Sequence, residues 1–324
     1  MFILWIKFII AAAVVVICGY RICLYAEKIA RIIKISRAFA GLILLAVITS
    51  LPELAVAISA TKIGALDLAV GDLFGSNLFN LTIVGIIFLK FVKKPRVLSF
   101  EKTHFISLAF SALLIALAAE GIIFSLGVET ALILVVYIFG AHLIFRNEKA
   151  AATKLAKTKS AGGRGVLETW TKFLIYSAIL VGFAIYLSHL GDQIARIPVA
   201  GVALGGTFVG SLFVAVTTSL PETVVAITAA KLGFFDLALG NIFGSNMFNM
   251  LIVAVADLSL GRKALLSCVS TQHLFTILFV IISTALVYAG LVFRSRRKTA
   301  GLAWDSAAIL FVYFAANLVN FYLR

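Results

Sequence analysis

An all-α membrane protein, with ten transmembrane helices in two inverted five-helix repeats, is what three features of this 324-residue chain specify. The first is composition. Apolar residues make up 62% of the chain, about 200 residues, and a span needs roughly 20 of them, which is enough for ten. Charged residues are only 13% and mean hydropathy is +1.12, far from a soluble domain. A soluble enzyme, a disordered tail and a disulfide scaffold are excluded. The second feature is the spacing of the apolar runs. The third is a long internal repeat.

Ten apolar runs are legible, near residues 3–24, 38–60, 66–89, 104–119, 122–145, 173–190, 200–230, 237–256, 272–293 and 304–323. The first is interrupted only by Lys7. It is too long for the core of a signal peptide and leads into basic residues rather than a small-residue cleavage site. The 28 Lys and Arg set the orientation. With the N-terminus outside, 22 cations fall on inner loops (21–37, 90–102, 146–172, Lys231 and 294–298). Six fall outside: Lys7, Lys62, Arg196, Arg262, Lys263 and Arg324. This bias places both termini away from the cytoplasm. The net charge of +14 therefore reads as membrane topology, not nucleic-acid binding. The expected organisation is a first five-helix repeat over 1–145, a basic cytoplasmic linker over 146–172, and a second, inverted repeat over 173–324. Cys18, Cys23 and Cys268 lie in or beside apolar runs without metal-ligand spacing and read as small buried hydrophobes.

Residues 49–80 read TSLPELAVAISATKIGALDLAVGDLFGSNLFN, and residues 218–249 read TSLPETVVAITAAKLGFFDLALGNIFGSNMFN. At an offset of 169, 21 of 32 positions are identical without a gap. Five spans per half is an odd number, so the second copy should enter the membrane upside down. Inverted repeats around broken mid-membrane helices mark secondary transporters.

Each TSLPE segment sets a proline and a glutamate inside an apolar run. Pro52 and Pro221 lack the N–H that would bond the carbonyls of Ile48 and Thr217. Glu53 and Glu222 are ionisable groups at mid-membrane depth, where a charge costs at least about 2.5–3.5 kcal/mol, so function is the default reading. Thr49 shares a helix face with Glu53, and Thr218 with Glu222. Ala46 and Ala215 lie one turn further back, where small side chains should leave backbone carbonyls accessible. In the second half of the motif, Gly71 and Gly75, like Gly240 and Gly244, suit close helix contact. Ser76 and Asn80 share a face, as do Ser245 and Asn249, and the buried amides, Asn77 and Asn246 included, must find partners. These groups offer oxygen and no imidazole or thiolate, which suits hard cations such as calcium and sodium. His104, His142, His189 and His273 lie outside the motifs and read as interfacial or packing residues.

The paired motifs resemble the alpha-repeats of the calcium/cation antiporter superfamily, in particular the sodium/calcium exchangers. The resemblance implies ten helices in two inverted halves and ion exchange by alternating access, with the first span of each half moving. It implies that Glu53 and Glu222 are shared by the calcium and sodium sites. Thr49, Ser50, Thr218 and Ser219 match positions beside the helix breaks. Ala46 and Ala215 match carbonyl donors to sodium, and Ser76, Ser245, Asn80 and Asn249 match the second helix pair. The GNA-type motif of the proton-coupled branch is missing before the glutamates. Several relatives have aspartate where this chain has Asn249, leaving two central acids and an open stoichiometry. Asp72 stands where the other copy has Asn241. It is expected near the outer mouth, attracting cations or taking up protons.

The expectation is thus a sodium-driven calcium antiporter of the cell membrane, with no cofactor, calcium and sodium as transported partners, lipid as surroundings, and a monomer sufficient for transport. A proton- or potassium-coupled exchanger remains open, as do, from other classes, a cation channel and an intramembrane protease.

Overall fold

The computed structural model describes residues 2–91, 100–125, 127–155, 163–195, 215–261, 264–293, 298–299 and 302–322. Among these the chain is helical apart from turns and one two-residue ribbon, Lys298–Thr299 paired antiparallel with Leu302–Ala303. Helix α1 is Phe2–Ile33 and α2 is Arg37–Thr49. Then come α3, Leu51–Lys62; α4, Leu66–Phe91; α5, Lys102–Phe124; and α6, Glu129–Leu155. The second half holds α7, Gly163–Ala195; α8, Leu220–Lys231; and α9, Phe235–Leu260. It ends with α10, His273–Phe293, and α11, Trp304–Tyr322. Among the described residues eight helices are long and apolar enough to cross a membrane, or nine if the bent pair α2–α3 is one span. Of the expected run 200–230, residues 200–214 lie outside the described residues, as do, among the topology cations, Lys93, Lys94, Arg96, Lys157, Lys159, Arg294, Arg296 and Arg297 of the inner set and Arg196, Arg262, Lys263 and Arg324 of the outer set.

Several boundaries differ from the sequence reading for local reasons. The stretch 21–37, expected as a loop, continues α1 to Ile33. Arg and Lys are good helix formers, and Glu27 accepts from Arg31 one turn on (2.6 Å) and from Arg37 (2.8 Å), binding α1 to the start of α2. The break expected near Glu120 is helical. The turn comes at Ser125 and Gly127, whose φ angles of 52° and 77° end the helix. The polar stretch 146–172 is helical at both ends, through Leu155 and from Gly163, with 156–162 outside the described residues.

The expected run 38–60 is broken, bending by 40° between α2 and α3. Ser50 leaves the helix at φ −90°, ψ 6°, and Pro52 sits at the start of α3, where its missing N–H costs nothing. A π-helical turn, Gly41–Leu45, precedes the break. In the other copy residues 215–218 are helical, and Ser219 breaks at φ −80°, ψ 8° before α8.

Helices α4 and α9 form the centre, with 78% and 83% of their most apolar stretches buried, against 22% for α6 and α11. The outer helices turn Ile138, Phe139, Phe311 and Phe314 outward, as lipid-facing surface requires. Glycines let the central helix approach its neighbour. A Cβ on Gly244 would lie 2.7 Å from the Leu42 carbonyl oxygen and from the Ala46 methyl, and one on Gly240 would strike the Ala38 carbonyl. Only bare backbone fits there. α1 and α7 pack along one another, with Tyr25 and Tyr176 stacked at 5.8 Å.

Candidate metal-ion site

The two helix breaks face each other across the molecule. Each glutamate follows its proline in the first turn of a short helix, so that backbone N–H groups and the positive end of the helix dipole favour its charge. Glu53 and Glu222 are each 1% exposed. Ser50 Oγ donates to Glu222 Oε1 at 3.0 Å, and Ser219 Oγ donates to Glu53 Oε1 at 3.3 Å. Each glutamate is therefore held by the serine that precedes the other copy's proline. Ser245 Oγ adds a second donor to Glu222 Oε1 at 3.4 Å.

This exchange of partners recurs throughout the site. Asn80 Nδ2 donates to Asn246 Oδ1 at 3.0 Å, and Asn249 Nδ2 donates to Asn77 Oδ1 at 2.9 Å. Thr49 Oγ1 lies 3.3 Å from Asn241 Oδ1, and Thr218 Oγ1 donates to Asp72 Oδ1 at 3.1 Å. In every case residue i of one copy meets residue j of the other while j meets i. That reciprocity is the mark of a two-fold relation.

All the sequence-predicted site residues are buried: Ala46, Thr49, Ser50, Glu53, Asp72, Ser76, Asn80, Ala215, Thr218, Ser219, Glu222, Ser245 and Asn249. Ser76 reaches Thr218 at 3.5 Å. The Ala46 carbonyl accepts from Ser50 N (3.0 Å) and the Ala215 carbonyl from Ser219 N (3.0 Å). Thr49 Oγ1 and Thr218 Oγ1 lie 3.4 Å and 3.1 Å from these two oxygens, but each hydroxyl has one proton and another acceptor in reach, Leu45 O at 3.0 Å and Asp72 Oδ1 at 3.1 Å. Each carbonyl thus has one backbone donor and a second lone pair. The methyl groups pack, Ala46 against Gly244 and Ala215 against Gly75. Asp72 is not at an open mouth. It is fully buried on Thr218, close enough to feel the charges of both glutamates. Among the described residues no three His, Cys, Asp or Glu side chains converge to hold a metal. Two glutamates and neutral oxygens are gathered here, and Asp72 lies beside them. Sequence reasoning left Asn77, Asn241 and Asn246 out of the site. The signal was present, because all three are amides within the repeated motif.

The oxygens left over define what the site can do. Glu53 Oε2, Glu222 Oε2, Asp72 Oδ2, Asn80 Oδ1 and Asn249 Oδ1 are buried and have no hydrogen-bond partner. No Lys or Arg among the described residues pairs with any of the three acids. Buried acceptors without donors are costly, and they call for a cation or for protons.

The family described as "Sodium/calcium exchanger protein" matches residues 3–146 and 169–323. A putative antiporter, CaxA of Alkalimonas amylolytica, is 32% identical over 70% of this chain and 72% of its own. The sodium/calcium exchanger MaX1 of Methanosarcina acetivorans is 27% identical over 92% of this chain and 93% of its own. The fold is that of the sodium-calcium exchanger NCX_Mj, with a TM-score of 0.74 over 98% of both chains at 20% identity. With its all-helical, multi-pass architecture, the chain belongs to the sodium/calcium exchanger protein family.

Proposed function

We propose that this chain is a secondary antiporter that exchanges calcium for sodium by alternating access at a site built on Glu53 and Glu222. The observation that carries this reading is the set of buried, unpaired oxygens, from Glu53, Asp72 and Asn80 in one copy and Glu222 and Asn249 in the other. Calcium takes 6–8 oxygen ligands. Glu53, Glu222, Asn80 and Asn249 supply unpaired oxygens, and Ser50, Ser76, Ser219, Ser245, Thr49 and Thr218 supply hydroxyls that can turn toward an ion. The Ala46 and Ala215 carbonyls each add a second lone pair beside the backbone N–H they already accept. Two carboxylates neutralise one calcium ion, and sodium competes for the same oxygens.

Around this site the chain forms ten spans in two inverted halves, with both termini outside the cytoplasm. The long α1–α7 pair slides against the rest and opens the two sides in turn. α1 lies against α8 and α7 against α3, so this pair touches both broken helices.

The experiment is calcium uptake by proteoliposomes driven by an outward sodium gradient. Glu53→Gln and Glu222→Gln each abolish uptake. Full uptake in both variants removes the assignment. A second reading, proton coupling, is favoured by one observation: a third buried carboxylate, Asp72, sits beside the pair. It predicts uptake driven by a pH gradient without sodium and lost in Asp72→Asn.

A further inference from the structure

The repeat extends beyond its 32-residue motif. His104 and His273 are also 169 residues apart, as are Asp67 and Asp236. His104 Nε2 lies 2.9 Å from Asp236 Oδ1, and His273 Nε2 lies 3.0 Å from Asp67 Oδ1. Each pair joins a histidine of one copy to an aspartate of the other, with the same reciprocity as the ion cluster. The aspartates stand in the first turns of α9 and α4, the two central helices. The histidines stand in the first turns of α5 and α10. A first-turn aspartate suits the helix dipole by itself. That accounts for the acids and leaves two matched imidazoles to explain, one of them completely buried.

Their positions bracket the site. Asn77 meets Asn249 and Asn80 meets Asn246, so residue numbers rise along α4 as they fall along α9. The two helices therefore pass in opposite senses. Asp67 precedes Asn77 by ten residues, as Asp236 precedes Asn246. At 1.5 Å per residue each pair lies about 15 Å from the crossing, on opposite sides. The separation of roughly 30 Å matches the thickness of a bilayer core.

The two ends are not in the same condition. The His104 side chain is 0% exposed and Asp236 29%, whereas His273 is 14% and Asp67 55% exposed. His104 faces Asp236 from α9 and Glu101 at the start of its own helix, with the Phe100 and Phe243 rings edge-on to it. Glu148 of α6 faces Glu101 as a like charge. At the other end Ser270 takes the place of Glu101, and its N–H donates to Asp67 at 2.7 Å. There the Phe74 ring lies against His273.

We propose that His104–Asp236 and His273–Asp67 are a matched pair of end clasps, positioning residues that tie each central helix to its neighbour at the two mouths of the site. In two halves related by symmetry, the alternate state arises when the halves exchange conformations. The buried clasp then becomes the exposed one, and the exposed clasp is buried. Each clasp is an imidazole–carboxylate hydrogen bond that joins one copy to the other. The transport role rests on the exchanger reading; the clasps do not.

Hydrogen–deuterium exchange on the purified full-length chain tests the clasps without transport. It is run on wild type and on each clasp variant at one pH, with intrinsic rates corrected. The first turns of α9 and α4 are protected at least ~5-fold more in wild type than in the variant lacking the facing imidazole, as expected of a hydrogen bond to a charged group. His104→Ala loses that protection at residues 235–239 only, and His273→Ala loses it at 66–70 only. Glu101→Gln leaves both in place. Protection kept in both alanine variants, or lost at both ends in either one, overturns the proposal. Where His104→Ala does not fold, His273→Ala and Asp67→Ala at the more exposed pair decide it. In vesicles, His104→Ala shifts the half-saturating calcium concentration on one side and His273→Ala on the other, with the maximal rate kept. Wild-type vesicles without sodium-for-calcium exchange overturn the exchanger reading alone, and deuterium exchange still judges the clasps.

Discussion

Ser50 and Ser219 connect the two copies at single hydroxyls, because each donates to the glutamate of the opposite copy. A hydrogen bond to a charged group contributes about 1.5–3 kcal/mol. Removing it disfavours the ionised carboxylate that a cation needs. Ser50→Ala is expected to weaken calcium binding about tenfold, the equivalent of 1.4 kcal/mol, and Ser219→Ala to do the same. Both are read from the calcium dependence of uptake. The acids, hydroxyls and amides of this cluster were legible in the sequence because such groups are expensive in an apolar run and appear there twice. Their partners were not legible. Thr218 on Asp72 and Asn249 on Asn77 are contacts between residues 146 and 172 positions apart, which only the folded chain brings together.

At the level of the helix, proline and glycine carried the information that hydropathy lacked. Pro52 and Pro221 located both breaks. The lengths of α1 and α7 were hidden, since Arg, Lys and Glu lower hydropathy without ending a helix. The glycines separate into those that pack and those that do not. Gly240→Ala would drive a methyl into the Ala38 backbone, which can move only with all of α2. It is expected to destabilise by about 1–3 kcal/mol, as overpacking does. Gly182 in α7 has nothing within 4 Å of its would-be Cβ. Gly182→Ala is expected to stabilise by about 0.5–1 kcal/mol, since alanine restricts the unfolded chain and suits a helix. Thermal unfolding in detergent distinguishes the two, and equal shifts of the same sign would contradict the packing described.

At the scale of the molecule, reciprocal contacts join the two halves, and the proposed orientation rests on the charge pattern. Lys62 and Lys231 occupy equivalent turns 169 residues apart, and both are exposed. In inverted halves they lie on opposite sides of the membrane. Lys62→Cys is therefore expected to react with an impermeant thiol reagent from outside and Lys231→Cys only from the cytoplasmic side. Labelling of both from one side would undo the inversion. The offset itself was plain in the motif, but its reach to His104 and His273 was not, because single residues beyond a conspicuous repeat stand out only once each is seen against its aspartate. The central claim concerns Glu53 and Glu222 sharing one ion, and calorimetric titration of calcium into the purified chain, with and without sodium, tests it most directly. Calcium should bind the wild type, lose affinity as sodium rises, and fail to bind Glu53→Gln and Glu222→Gln alike. Calcium binding that is indifferent to sodium and intact in either variant would contradict it.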